Sequence, residues 1–417
     1  MPEFQTSPGM RDVLPPESAR WRRFVRTFDE TVSAAGYGQV VPPLLEDIGV
    51  FHRVGEATDV VTKEMYDFVD KGERHVALRP EQTASVCRAF VQHRPATPWK
   101  VWYAGPNFRY EKPQRGRYRQ FDQVGIEVLG PDDPLLDVEV IALGWRFFQR
   151  LGLRQVTLMV NSLGEPDDRA RFVAALHAHF ETNIERLTPE SRVTLAKNPL
   201  RVLDSKRPED ATVIATAPRI ADFLGETARR SFSAVCDGLR ALDIPFVVND
   251  RLVRGLDYYR LTTFEFVGGT LDSAQNALGG GGRYDGLVED LGGPATPGVG
   301  FAIGLDRTLL ACDDEKVFTA DAERVDVFVV DTTGGLNALL LTDQLRENGI
   351  RADRAYENRS MKSQMKAADR SGAVVAVIIG PDEAESGTVV VRPLRDGGEQ
   401  SSVSRSDLTN TLKRVLS

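Results

Sequence analysis

FRYEKPQRGRYRQFDQVGIE, residues 108–127, reads as a strand, a basic loop and a second strand, and it gathers side chains of the kind that suit phosphate. Arg109 and Glu111 are two residues apart, so on extended chain both point to one face, where a cation and a carboxylate can meet one polyanionic ligand. Lys112, Arg115, Arg117 and Arg119 crowd around Pro113 and Gly116, a cationic turn able to reach a phosphodiester backbone. Gln123 and Glu127 are evenly spaced and again share a face. A solvated hairpin would also carry such charges. A glutamine and a carboxylate on the same face as Phe121 fit the lining of a pocket for a small polar ligand better.

Working outward, Trp21, Phe24, Val25, Phe28 and Val32 recur at helical spacing within 16–35, and Gly36 can end that helix. Gly38 to Leu45 reads as a strand broken by Pro42 and Pro43, which belongs at an edge or a subunit boundary. Val54 to Asp70 reads as loop. His75 to Leu78 is an apolar strand, followed by RPEQTAS with Glu81 and Thr83. Residues 101–129 alternate like antiparallel strands, and 135–149 are helical, so a sheet with helices outside it is expected.

From about 165 to 242 the sequence is charged and helical, an insertion between two halves of the sheet. Strand signals return at Phe246, and Arg254, Asp257, Tyr258 and Tyr259 cluster around Gly255. LGGGGRYDGLVEDLGG and TPGVGFAIGLDR follow, the second an apolar strand and a helix start carrying Arg307. Glycines on strands permit close approach of a flat ligand. No GxxxxGK[ST] phosphate loop occurs, nor a strand-GxGxxG-helix order.

From about Arg324 the pattern is β-α-β-α-β, a separate α/β domain, with 313–324 as linker. The expected organisation is therefore a core over 1–322, with its insertion, and a second domain over 324–417. The length of 417 residues and 41% apolar content suit two or three domains. Without a run of about 18 apolar residues or a cationic-apolar leader, neither a membrane span nor a secretory signal is expected, and the cytoplasm is the expected location. Cys87, Cys236 and Cys312 are far apart, against a disulfide framework, and the histidines lack zinc spacing, so no metal site is expected. With a net charge of −8, any contact with nucleic acid has to come from local basic patches.

The segments FRYEKPQRGRYRQFDQVGIEVLG, LVRGLDYY, GGGRYDGLVEDLGG and GVGFAIGLDR occur in an order that resembles histidyl-tRNA synthetases, a class II aminoacyl-tRNA synthetase family, over nearly the whole chain. The resemblance implies an α+β fold: an antiparallel sheet core flanked by helices, a helical insertion, and a C-terminal α/β anticodon-binding domain. It also implies a homodimer, with the proline-bearing 38–45 segment at its interface. The implied reaction is attack of the histidine carboxylate on the α-phosphorus of ATP, release of pyrophosphate, and transfer of histidine to the 3′ end of histidine tRNA. Such chemistry asks for fixed cations and positioning rather than a nucleophilic side chain.

By resemblance, Arg109 contacts the α-phosphate, Arg254 is a second cation at the reacting oxygens, and Arg307 binds the far phosphates. Phe121 stacks on adenine, Glu111 and Arg117 are further ATP contacts, and Mg²⁺ is held mainly through phosphate oxygens. Glu127 and Tyr259 partner the imidazole. Glu81, Thr83 and Gln123 take the amino and carboxylate groups, and Tyr258 lines that pocket. Gln114 and Arg115 would approach the acceptor end of the tRNA, and Arg354, Arg359, Lys362 and Lys366 give the C-terminal domain a basic face.

Three positions depart from the family pattern: Gln82 for a usual glycine, Lys112 for arginine, and Asp122 for histidine. The competing expectation is a non-catalytic histidine-sensing paralogue that partners the first enzyme of histidine biosynthesis. That paralogue generally lacks the C-terminal domain and has eroded LVRGLDYY and RYRQF segments, all of which are intact here.

Overall fold

The computed structural model describes residues 4–55, 60–252, 258–271, 276–320, 324–395 and 397–416. Its contacts divide the chain into two compact units, Met1–Thr319 and Ala320–Ser417.

The first unit opens with α1 (Glu17–Ser33), β1 (Gly38–Gln39), β2 (Leu45–Asp47), α2 (Ile48–Gly55), a π-helical turn (Val60–Glu64), β3 (Tyr66–Val69) and β4 (His75–Leu78). It continues through α3 (Thr83–His93), the long strands β5 (Trp99–Phe108) and β6 (Gln120–Leu129), α4 (Pro134–Arg150) and β7 (Val156–Ser162). Next come α5 (Pro166–Thr182), α6 (Pro189–Lys197), α7 (Ala211–Ala215), α8 (Glu226–Ala241), β8 (Phe246–Val248) and β9 (Arg260–Gly268). The unit ends with β10 (Ala277–Arg283), α9 (Leu287–Asp290), β11 (Gly298–Gly304) and α10 (Leu305–Glu315).

Local chemistry starts and stops the helices. Pro134 opens α4 behind Asp133, whose carboxylate accepts from Leu135 N at 2.9 Å. α1 buries Phe24, Phe28 and Val32 on one stripe, and Gly36, at φ +83°, turns the chain after it.

The main sheet has the order β1-β5-β6-β11-β10-β9-β7-β8. Its inner six strands are antiparallel, and the short edge strands β1 and β8 pair in parallel with their neighbours. One face is packed by α1, α4 and the second half of α8. Phe28 meets Phe147 edge-on at 5.1 Å, and Phe264 and Phe266 join Phe301 in the same cluster. Each such phenyl ring contributes roughly 1.5–3 kcal/mol by leaving water. A smaller sheet, β2-β4-β3, stands apart from the main one.

Three local expectations are corrected. β5 ends at Phe108, so Arg109 and Glu111 are not strand residues: Tyr110 N–H donates to Glu64 O at 2.6 Å, a partner from the π-helical turn. The 38–45 segment is broken at its prolines, as expected, into two short strands, and the carbonyls of Pro42 and Pro43 accept from the buried Arg79 Nη1 at 2.7 and 3.3 Å instead of joining a ladder. The 54–70 stretch holds a π-helical turn and β3 rather than loop alone. Finally, α10 runs to Glu315, into the expected linker, and Arg20 Nη1 secures it by a 2.6 Å pair with Asp313.

The insertion has its own core of Phe172, Leu176, Phe180, Leu195, Val202, Ile220 and Leu224. Of α8, Ala228 joins that core while Val235 and Leu239 join the sheet layer. Gly238 lies so close to α4 that an added Cβ would meet Val138 at 2.7 Å. The last turns of the charged stretch therefore belong to the sheet rather than to the insertion.

The second unit comprises β12 (Val327–Asp331), α11 (Leu336–Glu347), β13 (Ala352–Arg354), α12 (Met361–Arg370), β14 (Val375–Ile379), α13 (Pro381–Ser386), β15 (Thr388–Pro393), β16 (Ser401–Ser404) and α14 (Leu408–Leu416). Its sheet runs β13-β12-β14-β15-β16, parallel over the first three strands and antiparallel over the rest. Val327, Val329, Val375 and Val377 pack on Leu341, Leu345 and Leu412. Phe328, Val330 and Ala376 face Ala368 of α12 on the opposite side. Among the described residues, no helix is long and apolar enough to cross a membrane.

Candidate active site

The period of two along β6 and β11 separates core from site. Val124, Ile126 and Val128 of β6, with Val299, Phe301 and Ile303 of β11, belong to the helix-packed core. The alternate residues Phe121, Gln123, Glu127, Gly300, Ala302 and Gly304 line a cavity on the other face. Glycine is required at its floor: a Cβ on residue 300 would lie 1.8 Å from Glu127 Oε2.

The inner end of the cavity is built around buried carboxylates. Glu127 Oε1 accepts from Thr83 Oγ1 at 2.6 Å and from the Tyr103 hydroxyl at 3.2 Å, while Oε2 accepts from the Tyr284 hydroxyl at 2.5 Å. Burial pushes the Glu127 carboxyl up to about 8, against the pull of the Thr83 and Tyr284 donors. Glu81 accepts from Ala84 N at 2.8 Å and from the Tyr258 hydroxyl at 3.1 Å, and burial raises it too, opposed by these donors and by the Arg109 charge. The phenols of Tyr103, Tyr258 and Tyr284 are driven well above their usual range by burial, which keeps them protonated as donors. Tyr258 and Tyr259 stack with centroids 4.6 Å apart. Asn107 Nδ2 donates to Gln123 Oε1 at 2.8 Å and so orients the Gln123 amide.

The outer end is cationic. Arg109 Nε donates to Pro80 O at 2.9 Å, and its guanidinium lies 5.3 Å from the Phe121 centroid. Arg117 pairs with Glu111 at 2.9 Å. Arg307, at the start of α10, donates to Gly116 O and Ala277 O, both at 3.2 Å. Its pKa is lowered, first by burial and then by the charge of Arg117, with Arg109 adding to the effect and Glu111 and Glu265 opposing it. Three guanidinium groups from two distant segments thus repel one another across one cavity, an arrangement relieved by a polyanion. A ligand with several phosphates fits this end, and one offering N–H donors fits the carboxylate end.

Of the residues expected at the site, Glu81, Thr83, Arg109, Glu111, Arg117, Phe121, Gln123, Glu127, Tyr258, Tyr259 and Arg307 all line this cavity. Arg254 lies outside the described residues. Gln114 and Arg115 are in the loop between β5 and β6, Arg115 lying 3.7 Å from Asp314. Arg359 and Lys362 are exposed in the second unit, Arg359 beside Glu357 and Lys362 on α12. Sequence reasoning gave no role to Tyr103, Tyr284, Glu265 or Asp306, which line the cavity as well. Tyr284 carried a signal, a tyrosine directly after a glycine-rich strand.

Residues 9–308 match the family model described as histidyl-tRNA synthetase, and residues 326–415 match that of an anticodon binding domain. The histidine–tRNA ligase of Rhodococcus erythropolis is 48% identical over 95% of this chain and 95% of its own length. That of Mycobacterium marinum is 48% identical over 98% of both. Among solved structures, apo histidyl-tRNA synthetase of S. aureus superposes with a TM-score of 0.83 at 36% identity, covering 98% of this chain and 100% of that one.

Proposed function

The chain belongs to the histidyl-tRNA synthetase family, and from that premise we infer that it is a histidine–tRNA ligase, activating L-histidine with ATP and passing it to the 3′ end of histidine tRNA. Full-length identity to curated ligases favours this reading over the regulatory paralogue. The observation that carries the site assignment is the joining of Arg109, Arg117 and Arg307 with Glu127 and Tyr259 in one cavity.

In this reading the triphosphate lies along the guanidinium groups. Arg109 holds the α-phosphate, where charge builds up as the histidine carboxylate attacks and pyrophosphate leaves, and Arg307 holds the far phosphates. Arg254 is assigned as the second cation at the reacting oxygens on resemblance alone. Phe121 offers its ring to adenine, and Glu111 and Arg117 complete the nucleotide contacts. Glu111 and Glu265, the hard oxygen donors in the wall beside the cations, would help hold a Mg²⁺ brought in with ATP, which would supply further neutralisation of phosphate charge.

Glu127 and Tyr259 select the imidazole. Oε1 of Glu127 already has two donors and Oε2 one, so the remaining acceptor position on Oε2 suits a ring N–H. An amino acid lacking that N–H leaves a buried acceptor unpaired. Glu81, Thr83, Gln123 and Tyr258 serve the amino and carboxylate groups. Gln114 and Arg115 are assigned to the acceptor end, Arg359 and Lys362 to the anticodon side, and a cytoplasmic homodimer is the proposed working form.

Aminoacylation with labelled histidine tests the reading. Histidine tRNA is expected to be charged and other tRNAs not, and failure to charge it with ATP and Mg²⁺ present contradicts the assignment.

A further inference from the structure

We infer that residues 7–11, ahead of α1, form a strap that holds the nucleotide loop in its binding geometry, with Arg11 as the positioning residue. The inference rests on the ATP site proposed above.

The strap meets the loop through backbone and side chain. Arg119 N–H donates to Gly9 O at 2.8 Å, and Gly9, at φ +80°, lies so close that a Cβ there would meet Arg119 Cγ at 2.7 Å. Two residues on, the Arg11 guanidinium sits 5.0 Å from the Tyr118 centroid and 5.8 Å from that of Trp21 in α1. The same group donates to Asp306 at 2.8 Å, with Glu17 at 3.4 Å. Asp306 also accepts the backbone N–H of Asp122. One guanidinium therefore ties the strap to α1, to the loop and to the start of α10.

From the cavity side the loop is held at a second point. Gly116, at φ +73°, presses on Leu310, where a Cβ would come to 2.7 Å, and its carbonyl accepts from Arg307. Arg307, which follows Asp306 in α10, thus grips the loop's tip while Arg11 grips its exit.

Charge makes the strap matter for the nucleotide in particular. Asp306 and Asp122 both line the cavity, and two carboxylates beside a triphosphate oppose its binding. Arg11 neutralises one of them through a charge-assisted hydrogen bond. Without it, Tyr118 loses its stacking partner and Asp306 acts on the phosphates unopposed. Glu127, by contrast, draws its partners from α3, β5 and the end of β10, away from this contact.

The test is ATP–pyrophosphate exchange by the full chain, with ATP and histidine titrated separately in wild type, Arg11→Met and Arg11→Lys. Arg11→Met is expected to raise KM for ATP about tenfold and to leave KM for histidine within about twofold. Arg11→Lys, which keeps a cation on Asp306, is expected to recover most of the loss. Arg11→Gln gives the same readout should Arg11→Met not fold. A parallel rise in both KM values, an unchanged KM for ATP, or a lysine variant no better than methionine overturns the inference. A wild type without histidine-dependent exchange contradicts the proposed function instead.

Discussion

Tyr284, just past the end of β10, donates a 2.5 Å hydrogen bond to Oε2 of Glu127 on β6, and the two side chains meet beside Gly300 of the intervening strand β11, where a Cβ would lie 1.8 Å from that oxygen. The absent side chain of residue 300 is what lets a phenol hold the carboxylate in place. Three hydroxyl donors then fix Glu127 with one acceptor position to spare.

Glu127→Gln removes the carboxylate that, in the proposed reading, accepts the imidazole N–H. Hydrogen bonds to charged groups contribute about 1.5–3 kcal/mol, so KM for histidine is expected to rise about 10–150-fold with KM for ATP nearly unchanged. Exchange kinetics with each substrate varied in turn check this.

The same carboxyl predicts a pH dependence of stability. Its pKa in the folded, ligand-free protein is about 8, above the ordinary value of 4.5, so the folded state binds the proton more tightly. The stabilising contribution is fully present below about pH 4.5 and is lost as pH rises to 8 and beyond. Urea unfolding between pH 5 and 9 is expected to show a steeper fall in wild type than in Glu127→Gln. Identical slopes would contradict the assignment.

Arg307→Ala removes both the cation proposed for the far phosphates and the bond to Gly116. KM for ATP is expected to rise by about one to two orders of magnitude, while the Kd for histidine, measured calorimetrically without nucleotide, stays within about twofold.

A purely structural prediction concerns Arg283, which is 1% exposed and pairs with the buried Asp137 at 2.6 Å. Arg283→Met strands that carboxylate and is expected to cost about 3–5 kcal/mol in urea unfolding. Adding Asp137→Leu should recover part of the loss, since the fully buried carboxylate is then gone, while the longer 3.3 Å contact of Asp285 is left without its cation.

Much of this site was legible in the sequence because it is written in strand alternation. Gln123 and Glu127 share a face of β6 as their spacing demands, and Arg307 lies where an apolar strand turns into a helix. What spacing could not give is set by distant partners. Arg109 and Glu111 leave the strand because Tyr110 bonds to Glu64. α8 is charged enough to read as insertion, yet Val235 and Leu239 put half of it on the sheet. Tyr284 meets Glu127 and Arg11 meets Asp306 across 157 and 295 residues of sequence, beyond the reach of any local pattern.

The most direct test of the central claim is exchange of labelled pyrophosphate into ATP with each of the twenty amino acids in turn. Convergence of arginines and Glu127 on one cavity predicts rapid exchange with histidine and background exchange with the other nineteen. A folded protein that binds histidine and catalyses no exchange would contradict it.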